Sequence, residues 1–263
     1  QSIVTEQIPD RLRLGDTIIV DIGSALCRRE DPTSPVLFLP YENLAAEEAD
    51  SIRRKLHAAF TEIEHFAPSL ARMIRNYTRT IYVRKIGDLP PASEQVDTEL
   101  GAIRLRNVHS DNYTHDQIVD DLIHESTHNL LGTFEYLSAP FIPNGHRPPS
   151  DARPVSPWSM RPIQVLPFIH AVFVYFAMLN YAQRRLQSGI NNIEERQRFI
   201  ARRNRYASGF LMPGRLSDAV SSMTLMDPNA ARAIDWMQNA VKTGFYGALA
   251  PSGQPKPGLD EAA

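Results

Sequence analysis

The sequence predicts an α+β protein: a predominantly helical single domain with a small β-sheet beside a metal-binding helix. Three observations predict it. Long stretches repeat apolar residues every three or four positions, two short β-branched stretches lie between them, and His124-Glu125-Ser126-Thr127-His128 sits in a helical context. At 263 residues and 43 % hydrophobic content, the chain can build one large core, or a main domain carrying an irregular arm.

Residues 1–40 mix the apolar runs Thr17-Ile18-Ile19-Val20 and Val36-Leu37-Phe38-Leu39 with Pro9, Gly15, Gly23, Pro32, Pro35 and Pro40. They read as an irregular arm with one or two short strands. From Glu42 to about Tyr77, Leu44, Ile52, Leu56, Ala59, Phe60 and Ile63 follow helical spacing, and Pro68 divides the stretch into two helices. Thr80-Ile81-Tyr82-Val83 and Ala102-Ile103-Arg104-Leu105 read as paired strands, one of them at an edge, flanking a Pro90-Pro91 turn.

Thr114-His115-Asp116-Gln117 is a capping box that starts the motif helix, and Gly132 after Leu130-Leu131 reads as its stop. Residues 138–162 are rich in proline and read as a long functional loop, a candidate lid. Helical patterns resume at 163–187, 192–211 and 229–243. The domain reading is thus an arm at 1–40, a metal-dependent catalytic domain at 41–249 and a disordered tail at 250–263.

Composition narrows the function. A formal net charge of −2, with basic residues spread along the chain, argues against nucleic acid as a partner. Cys27 is the single cysteine, so no intramolecular disulfide forms and a cytoplasmic location is expected. The longest apolar stretch, Leu166 to Leu179, is interrupted by Pro167 and His170, so no membrane partner is expected either. Nothing in the sequence sets an oligomeric state.

Residues four apart on a helix stack on one face, so His124 and His128 can reach one cation together, while Glu125 lies about 100° round the helix. A chance H-E-x-x-H somewhere in a chain of this composition has a probability of about 1 %. A third protein ligand is needed. The extended zincin pattern is absent, because Leu131 stands where its glycine would be and Phe134 where its third histidine would be, which excludes a metzincin. Glu135, beyond the expected helix stop, reads as a solvated loop carboxylate, and Glu194 and Glu195 as part of a solvated helix face.

His170 differs, because it is embedded in the apolar run Phe168-Ile169-His170-Ala171-Val172-Phe173-Val174-Tyr175-Phe176. Burial keeps an imidazole neutral, which is the state that a metal requires; a core histidine satisfied by a hydrogen bond is the alternative. His170 is the candidate third ligand. His109, His115 and His146 lie in loops or near a cap, and His57 and His65 in the N-terminal helical region, without comparable context.

Four ordered segments carry a resemblance. Gly101-Ala102-Ile103-Arg104-Leu105, then Asp121-Leu122-Ile123-His124-Glu125-Ser126-Thr127-His128-Asn129-Leu130-Leu131, then Ser156-Pro157-Trp158-Ser159-Met160-Arg161-Pro162, and last Leu166-Pro167-Phe168-Ile169-His170-Ala171-Val172-Phe173 together resemble the HExxH-type peptide-modification proteins. That family serves gene clusters for ribosomally made, post-translationally modified peptides, and the resemblance spans about residues 75–185. It implies an iron(II)- and 2-oxoglutarate-dependent dioxygenase that hydroxylates the β-carbon of a residue in a peptide, with or without a leader segment. His124, His128 and His170 would hold the iron.

Three protein ligands leave three octahedral positions, enough for the two oxygens of 2-oxoglutarate and for dioxygen. Three histidines also serve zinc, so the donor set alone does not separate an oxygenase from a zinc metallopeptidase. A non-catalytic peptide-binding module with a vestigial metal site is the third reading. The free carboxylate of 2-oxoglutarate calls for a planar cation near the metal, and Arg161 is the candidate, with Arg153 competing. Trp158 walls the pocket or anchors the loop. Glu125 is the general base that deprotonates the attacking water in a hydrolase, and an orienting group in an oxygenase. Asp120 and Asp121 read as helix-start charges.

Overall fold

A computed structural model of the chain describes residues 13–22, 42–95, 99–146 and 148–247. It is an α+β domain of seven helices and one five-stranded sheet among the described residues. In chain order the elements are β1 (Arg13–Leu14), β2 (Ile18–Ile22), α1 (Ala46–Phe66), α2 (Pro68–Tyr77), β3 (Thr80–Arg84), β4 (Ala92–Glu94), β5 (Ala102–Arg106) and α3 (His115–Leu137). They continue with α4 (Val165–Gln187), α5 (Ile193–Ser208), α6 (Leu216–Ser221) and α7 (Pro228–Gly247). The run Val36–Leu39 and the tail from 250 lie outside the described residues.

The sheet order is β1-β2-β3-β5-β4, with β2, β3 and β5 parallel and the two outer strands antiparallel. Register follows the side-chain period of two: Val20, Ile81 and Ile103 align across the three parallel strands, and every one of them is buried. Because β2 pairs with β3, residues 13–22 belong to the sheet rather than to a separate arm. The edge strand β4 escaped the sequence reading, since Ala92-Ser93-Glu94 has no apolar alternation to mark it.

The helices form where apolar spacing predicts them. In α1, Ile52, Leu56, Ala59, Phe60 and Ile63 make one buried stripe, and Pro68 occupies the first turn of α2, where its missing N–H is harmless. Thr114 and Gln117 form the expected capping box of α3. Gly132 does not end that helix. A Cβ at Gly132 would lie 2.7 Å from Cδ2 of Leu100, so the glycine serves close packing, and the helix continues to Leu137. Glu135 is therefore a helical residue.

α3 packs against α1, α2 and α4 and reaches β4 and β5. Buried side chains lock it to the sheet: Asn129 accepts the Gly101 amide and donates to the Ala102 carbonyl, and Ser126 meets Thr78 at 2.7 Å. On other faces, Asp120 receives the Tyr206 hydroxyl and pairs with Arg202 of α5, so it ties helices together rather than merely marking a helix start. α4 is long and apolar enough to cross a membrane by length and composition, contrary to the sequence expectation. Its length is instead largely buried between α3 and α5.

Candidate metal centre

The middle of α3 delivers His124, Glu125 and His128 to one cleft, and their ligand atoms lie within 4.8 Å of one another. The Nε2 atoms of His124 and His128 are 3.2 Å apart. Two nitrogens each about 2.0–2.1 Å from a single cation are separated by a distance of this size, so the pair fits one metal ion. Both rings are biased to the neutral form. Burial, reinforced by the flanking His124 and His170, pushes His128 down to about 3. His124 keeps 38 % of its side chain open to the cleft, yet desolvation lowers its pKa despite the nearby Asp121 and Asp120 carboxylates.

His170, on the first turns of α4, also reaches the cleft and is 9 % exposed. Its Nδ1 lies 3.1 Å from Nδ1 of His128, on the ring edge opposite His124. The structure thus gathers the three predicted imidazoles in a row with His128 in the middle. The ligand atoms that come together around one point, however, are those of His124, Glu125 and His128, while the predicted third ligand His170 faces the other nitrogen of His128. Nε2 of His170 lies 3.1 Å from Oε2 of Glu135, whose other oxygen accepts the Phe141 amide at 3.3 Å. The reading of Glu135 as a solvated loop carboxylate is overturned: the helix runs one turn further than Gly132 suggested, and that turn carries Glu135 to His170. Phe141 closes the pocket behind the imidazole, edge-on at 5.8 Å.

Glu125 is 6 % exposed and bound from the sheet side. Ser93 of β4 donates to its Oε1 at 2.7 Å and the Gln95 backbone amide supports it, but burial outweighs both and raises its pKa to about 7. Oε1 is 4.0 Å from Nε2 of His124, close to where the two histidines would hold an ion. Asp121, read from sequence as a helix-start charge, shares this environment. Burial lifts it to about 6 against hydrogen bonds from Tyr113 and Ser93.

The cleft has a volume of about 480 Å³. Ser93, Glu94 and Gln95 form one wall, the metal helix the floor, and Ser156, Ser159 and the start of α4 the other wall. The 138–162 loop contributes Ser156 and Ser159 to the lining of the cleft. Trp158 does not line the cleft. It anchors the loop by stacking on Tyr175 at 4.3 Å and donating to the Tyr206 carbonyl at 2.9 Å.

Arg161 is exposed and outside the cleft lining, and so is Arg153. The loop reverses here, with the Arg161 carbonyl accepting the Ser156 amide and Met160 at positive φ, which turns the arginine to solvent. Among the described residues no lysine or arginine lines the cleft. His115 is likewise elsewhere, paired with Glu62, and His109 lies toward Glu48. A comparison with known protein families finds none that matches this chain, and no curated protein matches it either.

Proposed function

We propose that the protein is a mononuclear metal enzyme of peptide modification, an iron(II)- and 2-oxoglutarate-dependent dioxygenase that hydroxylates the β-carbon of a peptide residue in the cytoplasm. The observation that carries the reading is the meeting of three imidazoles, His124, His128 and His170, in one cleft. All four segments of the resemblance support it by their placement: β5 braces α3, α3 and α4 bring the histidines, and the 156–162 loop walls the cleft. Bound iron with 2-oxoglutarate and dioxygen supplies hydrogen abstraction from carbon and oxygen transfer to it.

The residues of this chain have separable tasks. His124 and His128 would hold the ion through Nε2, and His170 would back His128 from its other nitrogen. Glu125, tethered by Ser93 and the Gln95 amide, orients groups at the ion rather than swinging freely. Ser156, Ser159 and Tyr175 offer hydroxyls along the far wall for carboxylate or amide groups. β4 is one of the two edge strands of the sheet and lines the cleft, so an extended peptide backbone can lie along it.

A second reading is favoured by two specific observations. A buried carboxyl group with a pKa of about 7 stands beside the histidine pair, and no cation among the described residues faces the cleft to receive 2-oxoglutarate. Both suit a zinc metallopeptidase in which Glu125 takes the proton of the attacking water. The deciding experiment uses protein purified without oxygen, given iron(II), 2-oxoglutarate and the peptide encoded beside it. Succinate release with a peptide mass gain of one oxygen atom is expected. Zinc-dependent cleavage without oxygen-dependent turnover rejects the oxygenase.

A further inference from the structure

We infer that Glu135 is a positioning residue of the metal centre: its carboxylate holds the Nε2–H of His170 and so fixes the tautomer in which the Nδ1 lone pair of His170 faces Nδ1 of His128. The inference rests on the reading that these histidines hold a metal ion, and it adds a residue to which neither the motif nor the resemblance gives a role.

The geometry determines the proton positions. A carboxylate only accepts hydrogen bonds, so the His170 nitrogen 3.1 Å from Oε2 must carry the hydrogen. In a neutral imidazole the other nitrogen, Nδ1, is then the lone pair. That nitrogen points at His128 Nδ1, 3.1 Å away. Without an ion, His128 must donate there, which leaves the lone pair of its Nε2 facing His124 at 3.2 Å. One carboxylate thus sets the proton order along all three rings.

Glu135 is itself held in place. It projects from the last turn and a half of α3, its Oε1 is occupied by the Phe141 amide, and its side chain is only 19 % exposed. Phe141 is in turn stacked between Phe134 and Phe173 at 5.8 and 5.6 Å. A solvated carboxylate would need none of this support. A hydrogen-bonding group behind a ligating histidine raises the basicity of the ring and locks its orientation, and loss of such a partner typically lowers metal affinity about 10–100-fold.

The test uses the full chain, with zinc(II) and cobalt(II) as probes in competition with a chelator, and long-range ¹H–¹⁵N correlation spectra of the histidine rings in the metal-free protein. Wild type is expected to show His170 protonated on Nε2. Glu135→Leu is expected to lose that tautomer preference and to bind either ion about 10–100-fold more weakly. Glu135→Gln has a single amide oxygen for the two donors that Glu135 serves, His170 and the Phe141 amide, and is expected to fall between wild type and the leucine variant in both readouts. If the leucine variant fails to fold, the wild-type tautomer and the ratio of affinities between wild type and Glu135→Gln still decide. A wild-type His170 protonated on Nδ1, or a folded leucine variant with unchanged affinity, overturns the inference while leaving the metal centre standing. A wild-type chain that takes up neither ion overturns the metal centre and this inference together.

Discussion

The Ser93 hydroxyl lies 2.7 Å from Oε1 of Glu125 and also acts to lower the pKa of Asp121, so one edge-strand side chain serves a buried and a half-buried carboxyl group. A hydroxyl has one hydrogen to donate, so the two carboxyls compete for it, and each is more easily ionised when it has the bond.

Ser93→Ala removes that donor from Glu125, whose pKa burial has already raised to about 7. Loss of a hydrogen bond to a charged group moves the Glu125 midpoint upward by about one unit. Carbon-13 spectra of the glutamate side-chain carboxyls in the metal-free protein, assigned with Glu125→Gln, measure it. An unchanged midpoint refutes the tether.

Glu125→Gln separates two functions and one stability term. Hydrolysis would fall at least 100-fold with metal uptake retained, because the base is gone, whereas peptide hydroxylation would only be reduced. The folded pKa of Glu125 exceeds its ordinary value of 4.5, so its burial costs nothing at low pH and costs progressively more as pH rises toward and through 7. The glutamine variant should therefore melt like wild type near pH 4.5 and be more stable above pH 8, by at most about 3 kcal/mol. Thermal denaturation of the metal-free proteins across that range is the measurement.

The sequence marked His124 and His128 because helical periodicity fixes their shared face, and it marked His170 because an imidazole inside an apolar run needs a partner. What it could not mark was long-range. Ser93 reaches Glu125 across 32 residues, through a strand with no alternating pattern. Glu135 was hidden by Gly132, whose lack of a side chain has one local meaning, a helix end, and one tertiary meaning, room for Leu100. The tertiary meaning won. Arg161 failed in the opposite direction: nearness in sequence to His170 placed it in the site, while the turn at Met160 points it to water.

Glu62 joins three helices: its carboxylate meets His115 of α3 at 2.6 Å, and Tyr181 and Arg185 of α4. Burial acts against its charge, but hydrogen bonds from His115 and Tyr181 and the charges of His115 and Arg185 prevail and lower it to about 2. Its contribution to stability is full above pH 4.5 and is lost as pH falls from there toward 2. His115 is shifted the other way, chiefly by its hydrogen bond to Glu62, so its contribution is full below pH 6.5 and fades as pH rises through its folded value. The stability lost in Glu62→Gln should accordingly peak between pH 5 and 6.5, at up to about 3 kcal/mol, and shrink on either side. Melting curves of both proteins from pH 3 to 9 test it, and a pH-independent difference would contradict the charge pairing.

Gly209 ties packing to the cleft. Its φ of −65° is open to any residue, so the backbone does not require glycine. Trp158 does: a Cβ at position 209 would lie 2.3 Å from Cε2 and 2.6 Å from Cδ2 and Nε1 of the indole. The ring has nowhere to go, since Tyr175 is stacked on it, Phe210 stands edge-on at 5.2 Å and its Nε1–H is bound to the Tyr206 carbonyl. Gly209→Ala should therefore cost about 1–3 kcal/mol and disturb Ser156 and Ser159, which the same loop presents to the cleft. Trp158→Phe alone loses the indole hydrogen bond, yet it makes room for the alanine methyl. The double variant is thus expected to be less damaged than the sum of the two single changes, the sign of a direct clash. Strict additivity of the three melting shifts would mean that Gly209 and Trp158 do not act as a pair.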